Sequence, residues 1–265
     1  MELDQAVLTL VFFILGALLG SFGNVVIYRL PLGKSVAFPR SQCQACGKTV
    51  PWYHNIPIFS WFVLKGRCFN CQAKFSIRYP FVELIMAVLF ALLYQRFGLQ
   101  WITLEYGIFL FGLIVVSFID IDHFILPDIF TIGGMALGLI GAALNPEREF
   151  MDALWGVLMG GGFLWLIAYA YWILRKEEGM GGGDIKLLAW MGAILGWKAI
   201  PFIILVSSLS GSVVGILLMV KLKGNLKTAI PFGPYLVFGA LLYLFADSEI
   251  GLWYTKILFP SQIEP

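Results

Sequence analysis

Apolar residues run almost unbroken through most of this chain, and polar residues collect in the gaps between them. Residues 6–28 are almost wholly apolar, enough to cross a hydrocarbon core that takes about 20 helical residues. After a polar interval the apolar segments resume at about 81–97, 101–119, 128–144, 152–174, 185–197, 199–220 and 231–247. The pattern predicts an all-α polytopic membrane protein of about eight transmembrane helices, the short sixth segment being tilted or merged with the seventh around Trp197, Lys198 and Pro201. The start, Met1-Glu2-Leu3-Asp4, is acidic where a secretory signal would be basic, and Arg29 follows the apolar run. An uncleaved first helix with its N-terminus outside is therefore expected, with Arg29 as an interfacial anchor.

The interval from Leu30 to Pro80 has a different character. It holds Pro31, Gly33, Pro39, Gly47, Pro51, Pro57 and Gly66, which argue against long helices and for a small irregular domain. About fifty residues bury too little apolar surface to fold securely without a staple. All four cysteines fall here, as Cys43/Cys46 and Cys68/Cys71. Two disulfides are one reading, but seven Lys or Arg and no Asp or Glu mark the loop as cytoplasmic and hence reducing. Paired CxxC spacing suits a tetrahedral, structural zinc on Cys43, Cys46, Cys68 and Cys71. His54 lies between the pairs and is a bystander if four thiolates are available. The expected division is a first transmembrane helix (1–29), a cytoplasmic four-cysteine domain (30–80), a transmembrane domain (81–247) and a C-terminal tail (248–265).

Composition excludes a soluble domain: 60% of residues are hydrophobic and 13% charged, and mean hydropathy is +0.86. The net charge of +2 matters less than its distribution. Threading eight spans from an outside N-terminus puts 29–80, 120–127, 175–184 and 221–230 in the cytoplasm, with fourteen of the 18 Lys and Arg on that side or beside it. Membrane lipid is the expected environment, and no nucleic-acid partner is expected.

Two polar stretches interrupt the apolar second half at its expected cytoplasmic ends. One is Gly179-Met180-Gly181-Gly182-Gly183-Asp184; the other runs from Asp120 through Asp122, His123, Leu126 and Pro127 to Asp128. Carboxylates at the ends of apolar spans are costly and usually functional. Asp184 sits where a helix begins, so cap and catalyst both account for it. A dinucleotide loop fails on context, because no strand precedes the glycines. Pro127 and Asp128 suit the first turn of a following helix. Asp120 and Asp122 have no such explanation, and on one helix they point to nearly opposite sides, so one of them is the candidate partner of Asp184. His123 reads as a polar contact at the interface. Two carboxylates sharing one proton can activate water and protonate a peptide carbonyl or leaving amine with neither a metal nor a covalent intermediate. A cation-coupled transporter also uses intramembrane carboxylates, though typically in mid-span.

These motifs together resemble the type IV prepilin peptidases, bacterial aspartyl proteases of the GxGD type. The likeness covers almost the whole chain: Gly20-Ser21-Phe22-Gly23-Asn24, Arg29-Leu30-Pro31, both CxxC pairs, Asn55-Ile56-Pro57, Ser60-Trp61, Gly66-Arg67-Cys68 and Arg78-Tyr79-Pro80 with Glu83. It continues through the Asp120 to Asp128 run, Gly179 to Asp184, and Pro231-Phe232-Gly233-Pro234-Tyr235. The resemblance implies a bifunctional enzyme of the bacterial cytoplasmic membrane. It would cleave the basic leader of prepilins or pseudopilins after a glycine, and methylate the new N-terminus with S-adenosylmethionine. By the family's motifs Asp120, not Asp122, is the first catalytic acid and Asp184 the second. The cysteine domain goes with the form associated with methyl transfer, and its metal would be structural. A member lacking the methyltransferase activity is the nearer alternative.

Overall fold

The structure is a computed structural model and describes residues 2–177, 181–222 and 230–245. Gly179 and Met180 of the glycine run, most of the 221–230 interval and the expected tail 248–265 lie outside the described residues. Those residues form nine helices: α1 (Glu2–Arg29), α2 (Phe59–Val63), α3 (Arg78–Phe97), α4 (Trp101–His123), α5 (Asp128–Leu144), α6 (Phe150–Arg175), α7 (Gly182–Leu195), α8 (Ala199–Leu222) and α9 (Gly233–Phe245). Apart from α2, each coincides with one of the apolar segments. Five are long and apolar enough to cross a membrane, over Asp4–Arg29, Arg78–Phe97, Trp101–His123, Phe150–Arg175 and Ala199–Val220. Of the others, α5 and α7 have 17 and 14 residues, and at about 1.5 Å per residue each falls short of a hydrocarbon core of about 30 Å; α9 has 13 among the described residues. Large apolar side chains such as Leu166, Leu174, Leu205 and Ile216 are exposed, which suits a lipid-facing surface. The chain is a multi-pass membrane protein.

It divides into two compact units, residues 1–119 and 120–265. In the first, α1 lies against α3 through Gly16 and Gly20, one turn apart. A Cβ on Gly16 would stand 2.5 Å from the Met86 carbonyl oxygen, and one on Gly20 2.7 Å from Glu83 Cα. Small residues at this spacing let two helix backbones meet where lipid offers no hydrophobic drive. At the end of α1, Arg29 gathers the chain: its guanidinium donates to the carbonyls of Ser35 (3.1 Å) and Pro39 (2.8 Å). Buried Asn24 donates to the Tyr79 carbonyl at 3.1 Å.

The second unit is built around α7, which is buried from Leu187 to Ile194. Gly134 and Gly138 of α5 sit against Trp190 and Ile194. On another side Gly156 of α6 meets the backbone of Gly192, and a Cβ on Gly160 would reach the Leu188 carbonyl oxygen at 2.6 Å. Arg148 donates to the Gly138 carbonyl of α5 (3.3 Å) and to that of Ile194 (3.0 Å), the second an acceptor that the end of α7 leaves open.

Candidate active site and metal centre

The last turn of α4 and the first turn of α7 bring the two acids of the second unit together. Helix α4 continues through His123 and stops at Phe124, whose φ of 56° terminates it in the left-handed region; the Phe124 amide donates back to the Asp120 carbonyl at 2.9 Å. On that last turn Asp120 is 6% exposed, while Asp122 and His123 are exposed. Asp120 therefore faces the protein and Asp122 does not, which decides the geometric question that spacing left open.

Asp184 is the third residue of α7. Gly181 occupies the cap position, and no side chain caps this helix. The N-cap explanation of Asp184 is therefore not realised. Its carboxylate lies close enough to Asp120 for direct charge repulsion.

Two other residues shape this pair. The amide of Gly233, at the start of α9, donates to Asp120 Oδ2 at 3.0 Å. Any side chain at 233 would collide with that oxygen, since an ideal Cβ stands 2.6 Å from it. Leu126, buried, touches both glycines: an ideal Cβ on Gly183 stands 3.0 Å from Leu126 Cβ, and one on Gly233 3.4 Å from Leu126 Cδ2. A single apolar side chain thus contacts both segments that border the acids. Asp128, whose side chain is 60% exposed, pairs with Lys186 on α7. It has a structural partner, as its position after Pro127 suggested. Spacing alone singled out neither Leu126 nor Gly233. The available signal was a Pro-Phe-Gly-Pro run opening an apolar helix, where glycine has no role in propensity.

The four cysteines converge in the first unit through two knuckles of the same design. The Cys43 amide donates to the Lys48 carbonyl (3.0 Å) and the Gly47 amide to the Cys43 carbonyl (2.8 Å); the Cys68 amide donates to Ala73 (2.9 Å) and the Gln72 amide to Cys68 (3.0 Å). Bridges Gln42 to Thr49 and Arg67 to Lys74 close the two loops. The residue after each second cysteine, Gly47 or Gln72, has a positive φ of 70° or 59°. All four sulfurs lie within 4.8 Å of one another, and Cys43 Sγ is 3.7 Å from Cys71 Sγ.

The cysteines are free thiols, not disulfides. A zinc with sulfurs at about 2.3 Å implies tetrahedral edges of about 3.8 Å, so this donor set fits that metal. The amide of Cys71 draws the Cys68 thiol down to about 7, and the amide of Lys48 lowers that of Cys46. The Ala73 amide lowers that of Cys71, but desolvation and the three neighbouring thiols override it and push it up to about 11. Four thiolates this close would repel one another, and a cation among them would offset that repulsion. Asn70 donates to Cys46 Sγ at 3.8 Å and accepts from Lys48 Nζ at 2.9 Å, an outer layer that would orient the ligand. His54 stays outside the sulfur cluster, its ring 4.7 Å from that of Phe69.

A multi-pass helical membrane protein with a buried carboxylate beside a second, half-buried one and a four-thiol knuckle domain is the class these observations define. Residues 14–97 match the Bacterial Peptidase A24 N-terminal domain and residues 107–216 the Type IV leader peptidase family. Proteins named prepilin leader peptidase/N-methyltransferase are similar along most of the chain. The one from Stutzerimonas stutzeri is 35% identical, covering 92% of each chain. That from Legionella pneumophila is 37% identical over 89% of this chain and 90% of its own. That from Myxococcus xanthus is 41% identical over 78% of this chain and 62% of its own. No solved structure matches. The chain belongs to the type IV leader peptidase family, in the form that carries the bacterial N-terminal domain.

Proposed function

We propose that Asp120 and Asp184 are the catalytic acids of a prepilin leader peptidase that also methylates the product. Family membership makes the chain a peptidase and N-methyltransferase of the bacterial inner membrane. The observation that carries the catalytic reading is the meeting of one buried carboxylate from the end of α4 with a second, uncapped one from the start of α7. In the proposed reaction one carboxylate takes a proton from water as its oxygen attacks the peptide carbonyl. The other, protonated, gives its proton to the carbonyl oxygen, and collapse breaks the C–N bond with proton transfer to the leaving amine. The Gly233 amide holds one oxygen of Asp120, which fixes where the other can meet the water. Gly181 and Gly182 beside Asp184 have open space where a side chain would stand, which leaves room for an extended substrate backbone.

The substrate in this reading is a prepilin or pseudopilin, with a hydrophobic helix in the bilayer and a basic leader in the cytoplasm, cut after glycine. The acids stand at helix ends rather than mid-span, which favours a site reached from the cytosol over a transport path. All eight apolar helices would embed in the membrane, α5 and α7 reaching only part of its depth. Residues 30–80 would form the cytoplasmic domain and 81–247 the remaining membrane domain. Zinc on Cys43, Cys46, Cys68 and Cys71 would hold that domain together, with a closed coordination shell and no open position for water. S-adenosylmethionine, when bound, would supply an electrophilic methyl group for the new N-terminal amine, with the demethylated thioether as leaving group and the amine's proton lost to solvent.

Mass spectrometry of a prepilin N-terminus, after incubation with membranes containing this protein and with or without S-adenosylmethionine, tests the reading. Loss of the leader and gain of one methyl group, the former absent with Asp184→Asn, is expected. An intact leader with every prepilin offered would overturn it.

A further inference from the structure

We infer that a cavity of about 670 Å³ in the first unit is the binding site for the methyl donor, an inference that rests on the methyltransferase reading above. The cavity lies where the end of α1 and the start of α3 meet the cysteine domain. Its volume falls in the range of pockets that enclose a ligand of this size.

The lining is built for a polar, partly cationic molecule with an aromatic base. Glu83, 8% exposed, is a carboxylate among apolar helices. Its Oε2 accepts the Ile58 amide at 2.6 Å and the Ser21 hydroxyl also bonds the carboxylate, whose remaining lone pairs can take a ribose hydroxyl or face the sulfonium. His54 Nδ1 is buried and has no hydrogen-bond partner; a buried, unpaired ring nitrogen is costly unless a ligand engages it. Trp61 and Tyr79 offer faces for adenine or for the sulfonium charge. Lys34 and Arg67 bring positive charge for the donor's carboxylate.

The backbone here is also held in an uncommon state. Ile58, β-branched, has φ 63° and ψ −57°, and the Phe59 amide donates across it to the Pro57 carbonyl at 2.6 Å. This is a γ-turn of the strained, positive-φ kind. Glu83 therefore pins the strained turn between His54 and Trp61 while presenting its remaining lone pairs. Trp61 is seated in turn by Gly66, where an added Cβ would stand 2.8 Å from the indole. Strain fixed by a buried carboxylate beside an unsatisfied histidine marks a preorganised binding wall.

The test uses the purified full chain in detergent, with S-adenosylhomocysteine as the calorimetric probe and ultraviolet cross-linking of methyl-labelled S-adenosylmethionine for location. The expected results are binding of one molecule per chain and a label on peptides within residues 21–83. Glu83→Gln keeps an acceptor for Ile58, and His54→Phe keeps the ring contacts; each should bind S-adenosylhomocysteine about tenfold or more weakly. Zinc content and the far-ultraviolet spectrum report whether the domain survives. Unchanged affinity in both variants, or a label mapped wholly outside residues 21–83, overturns the site while leaving the methyltransferase reading intact. No binding together with no methyl transfer to a cleaved pilin removes both.

Discussion

The two units assemble their chemistry by opposite means. In residues 29–83 the groups are held by explicit polar devices: amides aimed at thiols, an arginine collecting carbonyls, a buried glutamate pinning a turn. In residues 120–245 the acids are positioned by close approach of apolar helices, with glycines as points of contact and one backbone amide as the polar fixture. A polar scaffold fails when a ligand or hydrogen bond is removed, and a close-packed one fails when volume is added. Each site should therefore be vulnerable to substitutions that the other tolerates.

The largest effect expected concerns the acids. Asp120→Asn and Asp184→Asn should each lower leader cleavage at least about a thousandfold, as loss of a residue acting within a catalytic pair does elsewhere. Methylation of a pilin peptide already lacking its leader should persist in both, measured by mass spectrometry; parallel loss of both activities would dissolve the comparison. Next is Gly233→Ala, which adds a methyl group against Asp120 Oδ2. A displacement near 1 Å typically costs about a hundredfold, so cleavage should fall by that order with metal content unchanged. Zinc retention together with normal cleavage would show that the Gly233 contact is not what positions Asp120.

Cys43→Ser approaches the comparison from the other side. Elemental analysis should give about one zinc per wild-type chain and far less in the variant, because each thiolate closes the shell. Methylation should be lost before cleavage, and a variant that lost cleavage first would make the cysteine domain part of the protease. The smallest effects belong to Asp128→Asn and Asp122→Asn. The Asp128 pair with Lys186 is largely exposed and worth at most about 1 kcal/mol, so cleavage should change by only a few-fold. A deeper loss at Asp122 than at Asp120 would move the catalytic role.

The helices were legible because apolar runs of span length have few alternatives in composition, and all eight expected segments are helical. Helix lengths were less so: α7 ends at Leu195 and α9 begins at Gly233, since turns at Gly196 and Pro231 set limits that hydropathy does not register. Among the site residues, the convergence of the cysteines followed from CxxC spacing and the choice of Asp120 from the family motif. Physics alone could not separate Asp120 from Asp122, because which face of α4 is covered depends on partners more than sixty residues away. Glu83 was visible only as a motif residue, since its role depends on Ile58, 25 positions upstream. Leu126 looked like one more leucine, and only its two glycine neighbours distinguish it.

Leu126 has a consequence for variation in such enzymes. It stands against both Gly183 and Gly233, so one uncharged side chain links the segment that carries Asp184 with the amide that holds Asp120. A change in its volume would be felt at both segments that carry or border the acids, with every titrating group left in place.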